Sequence, residues 1–176
     1  MSDGPSISVT VQEEGWSLHP SFHRAIAEGA RFAGVPPRHV VELVLATSSV
    51  MRQLHRDHFG DDSDTDVITF PTDFPELGDG VPALAGEIFV GLAQVVENAR
   101  EEGWSTSEEL LYVIIHGFLH LRGWVDAGEV HRQKMFAEQD RILAHIRSLG
   151  IDTTRLVDSP VDDRGRLTCD HEETSR

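Results

Sequence analysis

Cysteine occurs once in the 176 residues, at Cys169, so no internal disulfide can form and nothing points to an oxidising compartment; a reducing cytoplasm is the expected location. Positive charge is scarce as well. Fifteen Lys and Arg stand against thirty Asp and Glu, for a formal net charge of -15. Such a surface repels polyanions at long range, so any RNA partner has to be held locally or with the help of another protein. A long apolar run is also missing: the greasiest stretch is too short, and too interrupted by histidine, to cross a bilayer. The opening residues, MSDGPSISVTVQEEG, form neither a basic leader nor a sustained apolar segment, so no signal peptide is expected, and with no spanning run no membrane partner. There is no internal repeat and no long linker.

What remains suits one globular domain, since 39% hydrophobic and 26% charged residues exclude a chain disordered throughout. Alternation in ISVTVQE and the β-branched or aromatic runs VVELVLAT, TDVITFP and GEIFVG predict four strands. Between them, HPSFHRAIAEGARFAGV carries Phe22, Ile26, Ala30 and Ala33 at helical spacing and is stopped by Pro36 and Pro37. SSVMRQLHRDHFG predicts a helix capped by Ser48 or Ser49, with Gly60 just past its end. A Gly- and Pro-rich loop from Asp73 to about Leu84 is long enough to carry function or to be mobile. LAQVVENAREEGW is amphipathic, and STSEELLYVIIHGFLHLRG opens with two possible capping frames, Ser105 with Glu108 and Thr106 with Glu109. In VHRQKMFAEQDRILAHIRSLG, Met135, Phe136, Ile142, Leu143 and Ile146 share one broad face. Residues 1–150 are thus expected to form a single domain, and 151–176, polar and mixed in charge, a disordered tail.

Chemistry concentrates in HGFLHLRGWVD, residues 116 to 126. His116 and His120 lie one helical turn apart inside the most apolar helix, where an unpaired imidazole costs about 1–3 kcal/mol. Gly123 falls where a helix end needs positive φ, and the turn it allows returns Asp126 to the histidine face. Two imidazoles, one carboxylate and an open fourth position make a catalytic zinc site. The competing reading is two core histidines bonded to backbone carbonyls. His19 and His23 share the spacing, but they sit at a polar loop-to-helix entry with no third ligand, and there solvated or capping histidines are expected. Gly117 stands where zinc proteases of the H-E-x-x-H type place their general base, which argues against peptide hydrolysis. It also leaves room for a sheet to approach the helix.

HGFLHLRGW resembles the H-G-x-L-H-L-x-G-aromatic signature of the YbeY family of metal-dependent endoribonucleases. TDVITFP and GEIFVG resemble two strands of the same family, and the similarity runs from about Ile7 to Leu149. The resemblance implies an α+β fold, a four-stranded mixed sheet packed with helices and a central metal-bearing helix. It implies one Zn2+ held by His116, His120 and Asp126, with the metal-bound water as the reactive group. It also implies a single-strand-specific endoribonuclease that matures the 3′ end of small-subunit ribosomal RNA and serves ribosome quality control, with ribosome-associated proteins as partners and no DNA. Two positions depart from the family pattern. Asp126, preceded by Val125, replaces a third histidine, and His131 is the rival third ligand. Phe59 replaces an arginine, with His55 and His58 in place of an asparagine and an aromatic. Its phosphate-gripping task then passes to Arg56, with Arg122 as a second candidate. A non-catalytic ribosome-assembly factor with a structural metal is the rival function.

Overall fold

The computed structural model describes residues 4–72 and 83–161. β1 (Ser6–Val11) alternates exposed and half-buried positions, whereas β3 (His39–Ala46) is almost continuously apolar. That difference sets their places: β1 is an edge strand and β3 is internal. The sheet order is β1-β3-β5-β4, with β5 at Ala83–Gly91 and β4 at Val67–Pro71. β1 and β5 both run parallel to β3, and β4 runs antiparallel to β5, so the sheet is mixed, as expected.

The two-residue period of the strands divides their side chains between two layers. Leu43, Leu45, Ile88 and Val90 belong to the main core, together with Phe22 and Ile26 of α1 (Pro20–Phe32). Ala46, Ile68 and, half-buried, Val44 and Phe89 belong to a smaller cluster around Met51 of α2 (Ser48–Phe59). The cap of α2 is Thr47, one residue before the expected Ser48 or Ser49; its hydroxyl accepts the Val50 N–H at 3.4 Å, and Ser48 already begins the helix.

α3 (Leu92–Glu102) leads into α4 (Thr106–Leu121), which packs against β4, β5, α1, α3 and α5 (Glu129–Ser148). Neighbours on so many sides explain why α4 lacks a polar face and carries Leu110, Leu111, Ile114, Ile115, Phe118 and Leu119 in full burial. Gly117 makes the contact with the sheet possible: a Cβ there would lie 2.8 Å from Ile88 Cγ2. On α5, Met135, Ile142, Leu143 and Ile146 are buried, but Phe136, expected on the same face, is 43% exposed.

Residues 151–161, the described part of the tail expected from residue 151, are packed against the domain. Ile151, Leu156 and Val157 join the main core despite the polar composition around them. The buried Ser107 hydroxyl accepts the N–H groups of Leu156 and Val157 at 3.0 and 3.1 Å and lies 3.3 Å from the Val157 carbonyl it donates to. Just beyond, β6 (Val157–Asp158) pairs antiparallel with β2 (Ser17–Leu18), two short strands without a sequence signal. Residues 162–176, and the part of the Gly- and Pro-rich loop from 73 to 82, lie outside the described residues.

Candidate metal centre

Both ends of α4 are fixed by local chemistry. At its start, Ser105 and Glu108 form a reciprocal capping box, so the first of the two candidate frames is the one used. At its end, Gly123 has φ 83°, its N–H reaches the His120 carbonyl at 2.9 Å, and the Trp124 N–H reaches the Leu119 carbonyl at 3.1 Å. This is the pairing of a left-handed glycine cap, and it turns the chain back along the helix it has just left. Asp126 thereby comes to the face that carries His116 and His120.

The three side chains converge. His116 Nε2 and His120 Nε2 are 2.9 Å apart, and Asp126 Oδ2 lies 3.6 Å from the first and 3.8 Å from the second. Their neighbours fix the tautomers. His120 Nδ1 is 3.0 Å from the Trp124 carbonyl, which can only accept, so Nδ1 carries the proton. His116 Nδ1 is 3.0 Å from Gln139 Oε1, and Gln139 Nε2 donates to the Tyr112 carbonyl at 3.3 Å, which sets the amide orientation. Both rings therefore present a bare Nε2 lone pair to each other and to a carboxylate. One shared proton satisfies two of these three acceptors, whereas one divalent cation satisfies all three. Ligands bound tetrahedrally at about 2.0–2.2 Å stand roughly 3.3–3.6 Å apart, so the donor set fits zinc with a shift of a few tenths of an ångström. The carbonyl-bonded histidine reading is correct for His120 Nδ1 and leaves Nε2 free for the ion.

Burial pushes His120 below the usual histidine pKa, and the neighbouring His116 adds to the effect; Asp126 and the Trp124 carbonyl offset it only in part. The ring is therefore neutral at pH 7, the form that ligates a metal.

Two adjoining clefts meet at these residues. One, of about 300 Å³, is walled by His55 and Phe59 of α2 and by residues 65–69, with His116, His120 and Asp126 at its side. The other, of about 290 Å³, is walled by Glu109, Tyr112, Phe136 and Gln139; Asp66, Val67, His116 and Asp126 line both. Asp66 is held by Asn98 at 3.2 Å, and Asn98 by Gln94 at 2.9 Å. Glu109 is buried, and desolvation pushes its carboxyl up, with Asn98 opposing. Burial and the nearby Asp140, which accepts the Tyr112 hydroxyl at 3.1 Å, push the phenol up as well.

The candidate substrate arginines are not brought into these clefts, and no Lys or Arg lines either one among the described residues. Arg56 is exposed and paired with Asp62 at 2.6 Å, while Arg122 turns toward Gly34, its Nε 3.8 Å from where a Cβ on that glycine would stand. His131 bonds the Ala127 carbonyl through Nδ1 at 3.0 Å and is not part of the convergent group. His19 bonds Asp158 at 3.2 Å and His23 packs edge-on against Phe22, in keeping with the non-ligating reading of that pair. Sequence reasoning missed Gln139. Its signal was a glutamine in register with the buried stripe of α5, where it is 1% exposed.

A family model described as Endoribonuclease YbeY matches residues 9–147. Among curated proteins, Endoribonuclease YbeY of Geobacillus kaustophilus (strain HTA426) is 32% identical over 130 residues, covering 70% of this chain and 83% of that protein. The Symbiobacterium thermophilum protein of the same name is 34% identical over 133 residues, covering 72% and 85% respectively. Among solved structures, the solution structure of TM1509 from Thermotoga maritima is similar to this chain with a TM-score of 0.54 at 26% identity, over 82% of this chain and 91% of that one.

Proposed function

The chain belongs to the Endoribonuclease YbeY family, and on that premise we propose that it is a zinc-dependent endoribonuclease that cuts single-stranded RNA. Its substrate is ribosomal RNA, at the 3′ end of the small-subunit species, and its work extends to ribosome quality control in company with ribosome-associated proteins. The observation that carries the proposal is the convergence of His116 Nε2, His120 Nε2 and Asp126 Oδ2, with both histidine tautomers set from behind.

His116, His120 and Asp126 would hold one Zn2+ ion. When bound, zinc supplies Lewis-acid activation of water and of a phosphoryl oxygen. The protein's own part is positional: Gln139 and the Trp124 carbonyl lock the two rings, and the Gly123 turn delivers the carboxylate. Asp126 in place of histidine adds a negative charge to the ligand set, which makes the ion a weaker Lewis acid than a three-histidine site provides. With Gly117 packed on Ile88, no carboxylate stands where a zinc protease keeps its base, and phosphodiester hydrolysis is the use that fits. For phosphate contact we propose Arg56, next to the cleft-wall residue His55, ahead of Arg122. The functional domain proposed at residues 1–150 takes in the packed segment to Val161 as well, since Ile151, Leu156 and Val157 share its core.

The decisive experiment strips the purified protein of metal, restores zinc, and incubates it with RNA beside a His116→Ala control. Zinc-restored cleavage by the unmodified chain alone is expected; equal cleavage by both proteins would identify a contaminant. The rival reading, an assembly factor with a structural metal, draws on the clefts without cations and the net charge of -15. Under that reading chelation removes much of the folding free energy. With the metal mounted on a preformed helix whose core stands without it, the expected loss is modest.

A further inference from the structure

Few large apolar side chains are left exposed among the described residues, and two of them sit at the candidate centre. Phe59 is 62% exposed and walls one cleft; Phe136 is 43% exposed and walls the other. His116 and Asp126 line both clefts, so a ring stands on each side of the residues that would hold the ion. Neither ring is needed by the core. Phe59 is the last residue of α2, before the left-handed Gly60, and its only ring partner among the described residues is His55, with centroids 5.2 Å apart and planes tilted by 41°. Phe136 lies off the buried stripe of α5.

We propose that Phe59 and Phe136 are stacking platforms for the unpaired bases on either side of the phosphate presented to the metal centre, with His55 backing Phe59. This rests on the nuclease reading above. The chemistry of the walls selects the occupant. Both clefts carry carboxylates and, among the described residues, no Lys or Arg, so apart from the metal centre their walls cannot hold a phosphodiester backbone by charge. A nucleobase offers a flat π-face that stacks on an aromatic ring whatever the sequence, and only an unpaired strand exposes it. A preference for single strands follows from the two rings themselves.

The test uses the full chain loaded with zinc and a short single-stranded RNA carrying 2-aminopurine. Fluorescence on mixing reads stacking and binding before product accumulates, and the same samples resolved on a gel read cleavage. Phe59→Ala and Phe136→Ala are each expected to weaken binding by roughly 5- to 150-fold, the range for removing one base–aromatic stack. The loss falls on KM, with kcat at saturation nearly unchanged, while Phe59→Trp retains both binding and the fluorescence change. RNA made abasic at the stacked positions is expected to bind the unmodified chain and Phe59→Ala equally. Both side chains are exposed, so the variants should keep the circular dichroism and melting temperature of the parent, which is measured alongside.

Unchanged binding in both alanine variants overturns the proposal, as does an equal loss in Phe59→Ala and Phe59→Trp, or abasic RNA that still tells Phe59→Ala from the parent. The two readings separate cleanly. Zinc-dependent cleavage with no effect of either alanine leaves the nuclease standing and removes the platforms. Stacking that depends on the rings without any cleavage removes the nuclease and keeps the platforms.

Discussion

Gln139 decides what His116 can do. Its amide is oriented by the Tyr112 carbonyl, so its oxygen faces His116 Nδ1 and forces the ring's free lone pair toward His120 and Asp126. A leucine there keeps the volume and removes the acceptor. Gln139→Leu is therefore expected to weaken zinc binding by about 10- to 100-fold, the range for losing a partner behind a ligating histidine, as measured by competition with a chromophoric chelator. The same titration run against pH tests His120. Its pKa lies below the ordinary value, so a proton competes with the cation only at lower pH than usual. Affinity should hold from about pH 8 down to the ordinary histidine value near 6.5 and fall only beneath it. A decline that begins well above that value would mean that His120 is not the group that sets it, whereas a Gln139→Leu variant with parental affinity would contradict the tautomer argument.

At the scale of elements, what the sequence revealed was what is local along the chain. The i, i+4 histidine spacing, the capping frames and the Gly123 turn each span a few residues, so the helix and its ends were legible, but the sequence left the cap between Ser105–Glu108 and Thr106–Glu109 and the third convergent residue between Asp126 and His131. The four strands of the main sheet were equally plain, three from their β-branched or aromatic runs and β1 from its two-residue alternation. What escaped depends on partners distant in sequence. Gln139 meets His116 across 23 positions, and Ser107 meets Val157 across 50. No pattern near residue 157 announces a strand whose partner is at residue 18. Composition misled there: a mostly polar segment orders because a few apolar residues and one buried hydroxyl suffice to dock it. Phe136 was misjudged for the opposite reason, since an apolar residue at nearly the right helical angle turned out to face the cleft. Gly117 was read correctly as a place of close approach, and that carries a prediction. Gly117→Ala puts a methyl group 2.8 Å from Ile88 Cγ2. Helix propensity favours alanine by about 1 kcal/mol, while overpacking costs about 1–3 kcal/mol. A net destabilisation in urea unfolding is expected; a gain in stability would mean that the helix and sheet separate freely.

For the molecule as a whole the governing quantity is charge. A net -15, clefts without a cation, and α2 arginines already paired with Asp62 and Asp64 leave little with which to gather counterion-coated RNA by long-range attraction. Binding then has to come from the metal centre, the one arginine contact proposed above and short-range contact with bases, and together these release few counterions. A basic protein making 6–10 phosphate contacts loses about 10³- to 10⁵-fold in affinity between roughly 50 and 200 mM salt. Here the same interval is expected to change affinity for single-stranded RNA by less than about tenfold, because few phosphates are neutralised. Since salt screens the repulsion between the acidic surface and the strand, the change can even favour binding at the upper end. Fluorescence anisotropy with the full, zinc-loaded chain measures the slope directly. A steep loss of affinity with salt would show that several cations outside the clefts, beyond the single contact proposed for Arg56, leave their carboxylates to hold the backbone, and that recognition rests on phosphates rather than on bases.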